Sequence, residues 1–194
     1  MTVAAKNPAG GSAAGGQPAQ TPAAAENAKA AGTAVIDHPR VEDGAAIWAI
    51  ARDSKTLDLN SSYSYLLWCR DFAGTSVVAR GGDGRPVGFV TGYIRPERPR
   101  TLVVWQVAVD IRHRGRGLAS AMLDGLTRRL APRGIREVET TITPRNEASH
   151  RLFTSYGKRH GARITTRVLF DQGLFPDGHE SEVLYRIGPL SLDF

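Results

Sequence analysis

The sequence predicts a single α/β domain with a mixed sheet (an α+β arrangement) that follows a disordered N-terminal arm. Residues 1–34 are dominated by Ala, Gly and Pro, whereas residues 35–194 alternate between helix-like and strand-like patterns. A Gly-rich turn with several arginines separates the most strand-like segment from the most helix-like one. These three observations favour one domain in which strands and helices are interleaved.

The arm and the domain differ in what they can bury. Ala, Gly and Pro offer too little apolar surface to offset chain entropy, so we expect residues 1–34 to be disordered. The single cysteine, Cys69, excludes a disulfide scaffold, and no Cys/His spacing resembles a metal site. No apolar run reaches the ~18 residues of a membrane span, and no apolar secretory leader is present. We therefore expect a cytoplasmic protein with no metal and no membrane partner.

The first half of the domain predicts two helices followed by three strands. Apolar positions recur at helical spacing in the first two segments, and Asn60-Ser61-Ser62 is a suitable cap for the second helix. The next segments are rich in β-branched residues, and a Gly- and Pro-containing turn joins the first two into a hairpin. The predicted ranges are helices at 41–52 and 63–72 and strands at 76–80, 87–94 and 101–110.

The second half predicts two further helices and three further strands. Apolar residues recur every four positions from Leu118 to Leu130, and Pro132 and Gly134 end that helix. The resulting element order is α-α-β-β-β-α-β-α-β-β. The predicted ranges are a helix at 118–130, a strand at 137–143, a short helix after Pro144-Arg145-Asn146, and strands at 163–170 and 182–187.

The turn at 112–119, which reads R-H-R-G-R-G-L-A, is the most informative segment. Its glycines let the backbone approach a ligand, and the helix start offers free N–H groups and a positive dipole end. Three arginines add cations, so the expected ligand is a pyrophosphate, although a tight turn with solvated arginines would read the same. A P-loop is excluded because no Gly-Lys-Ser/Thr follows, and a dinucleotide fold would need further β–α repeats.

The pattern R-x-x-G-x-G-x-A in this turn resembles the acetyl-CoA motif of the GNAT superfamily of N-acetyltransferases. Asn146-Glu147-Ala148-Ser149, followed by Leu152-Phe153, is similar to a second motif of that superfamily. The resemblance implies a GNAT-type fold and acetyl-CoA as co-substrate, with strand backbone along the pantetheine arm and loop amides on the pyrophosphate. The expected acetyl-CoA-binding residues are Val107, Val109, Arg112, Arg114, Gly115, Arg116, Gly117, Leu118, Ala119 and Asn146.

Five longer stretches resemble the L-2,4-diaminobutyrate acetyltransferases of ectoine biosynthesis. They lie at 57–72, 88–99, 104–110, 139–149 and 174–189, and together they span nearly the whole domain but not the arm. The resemblance implies acetyl transfer to the γ-amine (N4) of diaminobutyrate, a step towards a compatible solute made under osmotic stress. It also implies a homodimer.

The chemistry of amine acetylation makes its own demands on the site. An alkyl ammonium must lose a proton before attack, and from a pKa of ~10.4 this costs about 4.6 kcal/mol at pH 7. A base or a water chain is needed, together with carboxylates for a doubly cationic substrate. The substrate-binding candidates are Asp58, Tyr63, Trp105, His179 and Glu182, of which His179 and Glu182 are also catalytic candidates.

Each of these candidates has a plainer alternative, and the site lacks an expected acid. Asp58, His179 and Glu182 could be loop, turn or surface residues, while Tyr63 could be a helix-face aromatic and Trp105 a core residue. The superfamily often has a tyrosine that reprotonates the leaving thiolate where this chain has Phe153. Tyr156 lies three residues further on and is the substitute that helical spacing favours. Water is the alternative, because a thiol with a pKa near ~8.5 leaves readily.

Other functions remain open at this point. The chain could acetylate another small amine, such as a polyamine or lysine, or bind acetyl-CoA without turnover as a regulator. It could also be a basic nucleic-acid-binding module, because the formal net charge is +6. No aromatic residues interleave with the basic run, so we expect no nucleic-acid partner.

Overall fold

The computed structural model describes residues 34–192. The predicted arm lies outside this range except for its last residue, Ala34, which is buried in the core. The strands are β1 Val35–Asp37, β2 Val77–Arg80, β3 Pro86–Ile94, β4 Thr101–Val109, β5 Glu137–Ile142, β6 Arg163–Phe170 and β7 Glu182–Gly188. The helices are α1 Gly44–Ser54, α2 Ser62–Asp71, α3 Leu118–Leu130 and α4 Glu147–Arg159.

The seven strands form one mixed sheet in the order β1-β2-β3-β4-β5-β7-β6. Only β4 and β5 run parallel within the described range. β4 pairs with β3 along its whole length, but it pairs with β5 only over Thr101–Val103. The two central strands therefore diverge beyond Val103, and the sheet opens at that point.

Helices cover both faces of the sheet, and each face has its own apolar cluster. The stripe of α3 that the sequence predicts is buried, and it packs with α4 against one face. α1 and α2 cover the other face. Full burial of one such aliphatic or aromatic side chain stabilises the fold by about 1.5–3 kcal/mol. Large side chains that are almost fully buried include Leu118, Met122, Leu126, Leu130, Phe153 and Tyr156 in the first cluster and Ile47, Tyr65 and Phe89 in the second.

The predicted mixed α/β fold is confirmed, with two local differences. β1 was not predicted, because three residues are too few to show a strand period. The predicted first helix divides into a 3₁₀ turn at Val41–Asp43 and then α1. The turn contains Asp43, whose carboxylate accepts two hydrogen bonds from Arg80 of β2, at 2.9 and 2.8 Å.

The structure shows where the single cysteine lies and how long and apolar the helices are. Cys69 on α2 is 3% exposed, and burial raises the pKa of its thiol to about 11. No helix between residues 34 and 192 combines the length and the apolar character needed to cross a bilayer.

Candidate active site

The opening between β4 and β5 creates a cleft beside the free edge of β4. Because β5 pairs with β4 only as far as Val103, the backbone of Val104–Val109 has no strand partner on that side within the described residues. On its other side β4 carries a bulge, since Thr91 pairs with Gln106 and Gly92 with Val104. Trp105 is the extra residue of this bulge. An extended ligand could therefore lie along β4 and use the hydrogen-bonding groups that β5 leaves free.

A cavity of about 280 Å³ occupies this opening and ends at the start of α3. Gly115 and Gly117 both have φ of +75°, and a Cβ at either would meet no other atom within 4 Å. The backbone of this turn is therefore accessible, and it leads into the unpaired N–H groups of the first turn of α3. The predicted acetyl-CoA residues that line the cavity are Val107, Val109, Arg114, Gly115, Gly117, Leu118, Ala119 and Asn146.

The three predicted arginines have different surroundings. Arg114 lines the cavity, and its Nε donates to the Val109 carbonyl at 3.1 Å. Arg112 pairs instead with Asp110, and this hydrogen bond holds the pKa of Asp110 at about 2. Arg116 donates to the Arg112 carbonyl at 3.3 Å. Neither Arg112 nor Arg116 lines the cavity, so their contact with a phosphate stays a prediction.

A second, smaller cavity of about 150 Å³ adjoins the first. Thr56, Leu57 and Asn146 line both cavities. Asn146 is fixed there because it caps α4, its Oδ1 accepting from the Ser149 N–H at 3.1 Å. The two cavities are therefore neighbours, and these three residues belong to the walls of both.

Three ionisable side chains form a cluster beside the second cavity. Asp58 and Glu182 line that cavity, whereas His179 lines a neighbouring cavity of about 600 Å³. The His179 Nε2 is 2.9 Å from the Asp58 Oδ2 and 3.6 Å from the Glu182 Oε1. The other ring nitrogen, Nδ1, is 2.7 Å from the Glu180 carbonyl. Asp58 and His179, which are 121 positions apart in sequence, are thus in direct contact, and three of the predicted substrate residues lie together.

The hydrogen bonds of His179 favour its protonated form. With Asp58 ionised, both ring nitrogens face oxygen atoms that accept hydrogen bonds, an arrangement that a doubly protonated imidazole satisfies. The hydrogen bond to the Glu180 carbonyl and then that to Asp58 raise the pKa of His179. A protonated imidazole is not a metal ligand, so the cluster in this state offers two carboxylates to an ammonium rather than three ligands to a metal.

The two carboxylates of the cluster differ in exposure. The Asp58 side chain is 81% exposed and that of Glu182 is 17% exposed. Burial raises the pKa of Glu182, against the opposing effects of the Thr141 hydroxyl and of His179. Its Oε2 is buried without a hydrogen-bond partner among the described residues. Glu182 is therefore the carboxylate better suited to accept a proton near neutral pH.

The two predicted aromatic contacts are placed differently. Trp105 lines the second cavity and is 53% exposed, so the structural alternative of a core tryptophan is wrong. Its ring stacks on that of Trp68 at 6.3 Å between centroids. Tyr63, in the first turn of α2, is 65% exposed and does not line either cavity. Its contact with substrate stays a prediction.

The structure contradicts the prediction that Tyr156 is the acid for the leaving thiolate. Tyr156 is fully buried between α4 and α3, where its hydroxyl donates to the Thr127 Oγ1 at 2.9 Å. Burial also raises its pKa. Phe153, three residues earlier, is buried in the same core cluster, so helical spacing keeps Tyr156 on that buried face. No tyrosine lines either cavity in the described part of the chain.

The sequence patterns did not indicate several polar residues that line the second cavity. They belong to strands or loops in which no spacing rule singles them out, and only their position beside predicted residues could have indicated them. These residues are Thr56, Asn60, Gln106, Thr141 and Thr143.

Comparisons with known proteins agree with this geometry. A model of the acetyltransferase (GNAT) family matches residues 44–157. The chain is 69% identical to an L-2,4-diaminobutyric acid acetyltransferase from Streptomyces avermitilis, over 80% of this chain and 88% of that protein. It is 48% identical to the enzyme of the same name from Marinococcus halophilus, over 81% and 91%. A solved diaminobutyrate acetyltransferase from Paenibacillus lautus, in complex with its substrate L-2,4-diaminobutyric acid and coenzyme A, superposes with a TM-score of 0.77 at 42% identity, covering 83% of this chain and 98% of that one.

Proposed function

As this chain belongs to the acetyltransferase (GNAT) family, and within it to the L-2,4-diaminobutyric acid acetyltransferases, we propose that it transfers acetyl from acetyl-CoA to the γ-amine (N4) of L-2,4-diaminobutyrate. The observation that carries the choice of substrate is the pair of carboxylates, Asp58 and Glu182, in the second cavity. This cavity, which we call the acceptor cavity, adjoins the cleft along β4, which we call the donor cleft. With His179 protonated the cluster carries a net charge of −1, which complements a substrate with two ammonium groups and one carboxylate.

The donor cleft fits acetyl-CoA by its shape and its donors. The free edge of β4 beyond Val103 would hold the pantetheine arm, and the amides from Arg114 to Ala119 would hold the pyrophosphate. Acetyl-CoA supplies an activated thioester. A backbone N–H of β4 near Val107 would stabilise the oxygen of the thioester as negative charge develops on it.

Glu182 would remove the proton that the γ-ammonium must lose. Its buried carboxylate has a raised pKa, which brings it closer to the working pH than an exposed carboxylate. His179 would not act as the base, because both of its nitrogens already donate to oxygen atoms. It would hold Asp58 and Glu182 in place. With Tyr156 in the core, the thiolate would leave unassisted or take a proton from water.

A thiol-release assay with acetyl-CoA and a panel of amines tests the substrate. We expect diaminobutyrate to be turned over with a higher kcat/KM than lysine, putrescine or ornithine. Equal turnover of lysine or putrescine would overturn the assignment. NMR of the product distinguishes acetylation at N4 from acetylation at N2.

Two alanine variants test the carboxylates. Asp58→Ala and Glu182→Ala should raise the KM for diaminobutyrate or lower kcat while the KM for acetyl-CoA is unchanged. Asp171→Ala is a suitable control, because that carboxylate only caps a 3₁₀ turn outside both cavities. Wild-type kinetics in both site variants would refute the role of the cluster.

The assembly and setting of the enzyme are further parts of the proposal. We propose a cytoplasmic homodimer that serves ectoine synthesis under osmotic stress. The support for a dimer is that β6 is an edge strand and that Val168, Phe170 and Leu174 are 55%, 46% and 68% exposed. Sedimentation should give twice the monomer mass, and a monomer at micromolar concentration would exclude it.

A further inference from the structure

Gln106 connects three parts of the acceptor site. It follows the bulge residue Trp105 on β4, is 7% exposed and lines the acceptor cavity. Its Nε2 donates to the Asp58 carbonyl at 2.8 Å, and its Oε1 accepts from the Tyr65 hydroxyl at 3.0 Å. Tyr65 is itself 1% exposed on α2. One side-chain amide thus joins the sheet, a helix and the segment that carries Asp58.

The orientation of this amide follows from its partners. A backbone carbonyl can only accept a hydrogen bond, so the NH₂ group must face Asp58 and the oxygen must face Tyr65. Tyr65 must then donate its proton. Since the tyrosine is fixed in the core, it fixes the amide, and the amide fixes the Asp58 backbone.

Asp58 needs such support because it lies in an irregular segment. Residues 55–61 belong to neither helix nor strand, and the Asp58 side chain is 81% exposed. Ser54 Oγ accepts from the amides of Thr56 and Leu57, both at 3.3 Å, which orders the start of the segment. The hydrogen bond from Gln106 ties the segment to the sheet at Asp58 itself.

We propose that Gln106 is a positioning residue for the acceptor, which sets the affinity for the diamino acid by holding the Asp58 carboxylate opposite His179 and Glu182. This inference rests on the proposed function, because it assigns Asp58 a contact with the substrate ammonium. It predicts that Gln106 acts only through Asp58. The donor cleft is formed by other residues and should not respond.

The test is a double-mutant cycle measured as kcat/KM for diaminobutyrate, with KM for acetyl-CoA recorded alongside. Gln106→Met keeps the length of the side chain and removes both hydrogen bonds. We expect it to lower kcat/KM about tenfold, mostly through KM, with KM for acetyl-CoA unchanged. In an Asp58→Ala background the same substitution should lower kcat/KM by less than about twofold, because the carboxylate that it positions is gone.

Two further variants distinguish the positioning role of Gln106 from a general loss of structure. Tyr65→Phe removes only the hydroxyl that orients the amide, and it should lower kcat/KM about threefold with the same dependence on Asp58. Thr91→Val is the matched control, because Thr91 faces Gln106 across the strand pair and is 2% exposed, and its Oγ1 has no hydrogen-bond partner within residues 34–192. It should leave both KM values unchanged.

The outcomes separate this inference from the proposed function. If the wild-type protein does not acetylate diaminobutyrate, the proposed function fails. If it does, but Gln106→Met and Tyr65→Phe lose equal factors with and without the Asp58 side chain, only the positioning role fails. A loss of acetyl-CoA affinity as large as that of the acceptor would also overturn it, since that is the mark of a purely structural residue.

Discussion

At the scale of single residues, the acceptor site depends on the different surroundings of chemically similar groups. Asp58 is largely exposed and has a histidine partner, whereas Glu182 is mostly buried and has an oxygen without a partner. The first suits charge recognition and the second suits proton transfer. The two residues carry the same functional group, so the difference between their expected roles comes from their burial.

Glu182→Gln should remove the base while keeping the shape of the side chain. We expect kcat to fall by at least about 10²-fold. In the wild type kcat/KM should rise as the pH rises through the pKa of Glu182, which lies above the usual 4.5, and this acid limb should be lost in the variant. The measurement is a pH profile of kcat/KM. Glu147→Gln, which alters an exposed carboxylate paired with Arg151, serves as the control.

Tyr156→Phe should leave turnover nearly unchanged. Its hydroxyl bonds to Thr127 in the core, so the substitution removes one buried hydrogen bond and lowers the free energy of unfolding by about 1 kcal/mol. Denaturant unfolding measures the stability and the thiol-release assay measures kcat. A large loss of kcat at intact stability would restore Tyr156 as a catalytic acid.

At the scale of elements, the turn between β4 and α3 depends on left-handed backbone. Gly117 and Gly84 have nearly equal φ values, +75° and +77°, but Gly117 lines the donor cleft and Gly84 lies in the β2–β3 hairpin. A side chain at either position would strain the backbone to the same extent, but only Gly117 lines the donor cleft.

Comparison of Gly117→Ala with Gly84→Ala separates the effect of backbone strain on stability from its effect on the binding of acetyl-CoA. Each alanine should lower stability by about 1–2 kcal/mol, because φ near +75° is strained for an L-residue. Only Gly117→Ala should raise KM for acetyl-CoA, by about tenfold, since holding the turn in its binding conformation now costs free energy. Equal KM values in the two variants would show that the turn does not hold the donor.

The 3₁₀ turn before α1 is held to β2 by a buried ion pair. The side chains of Arg80 and Asp43 are 12% and 8% exposed. Burial alone would raise the pKa of Asp43, but hydrogen bonds from the Arg80 side chain and the Arg40 amide lower it. Removing Asp43 would leave the buried Arg80 guanidinium with Asp37 as its remaining carboxylate partner, at 3.1 Å.

Asp43→Ala should therefore lower the free energy of unfolding by about 2 kcal/mol at pH 7, the contribution of hydrogen bonds to a charged group. A carboxyl whose pKa is lowered by folding stabilises above its unfolded pKa, near 3.8, and loses that effect as the pH falls through the folded value. The difference in stability between the two proteins should shrink as the pH falls below 3.8, as followed by thermal unfolding from pH 7 down to about pH 2. Asp53→Ala, at an exposed pair with Arg52, should change little.

At the scale of the whole molecule, local patterns predicted the elements and non-local pairing determined the site. The helical stripe of α3 and the Gly-rich turn were predicted because their signals lie within a few residues. The position of β7 between β5 and β6, and the divergence of β4 from β5, involve strands far apart in sequence and leave no local mark.

The acceptor residues illustrate the same limit. Resemblance to a family selected Asp58, His179 and Glu182, and the structure brings them together. It did not select Gln106, whose importance depends on a bulge and on two partners at 41 and 48 residues' separation. Tyr156 was predicted from helical spacing alone, and spacing does not say whether the face that it shares with Phe153 points to the cleft or to the core.

The wall that the two cavities share has a consequence for the order of events in turnover. Because Thr56, Leu57 and Asn146 line both, donor and acceptor can be bound together, and acetyl can pass directly between them. The lone thiol cannot act as a relay, since Cys69 is buried and its pKa is about 11. Initial-rate plots against both substrates should intersect, as in a sequential mechanism through a ternary complex. Parallel lines would instead indicate a ping-pong mechanism with an acetylated enzyme.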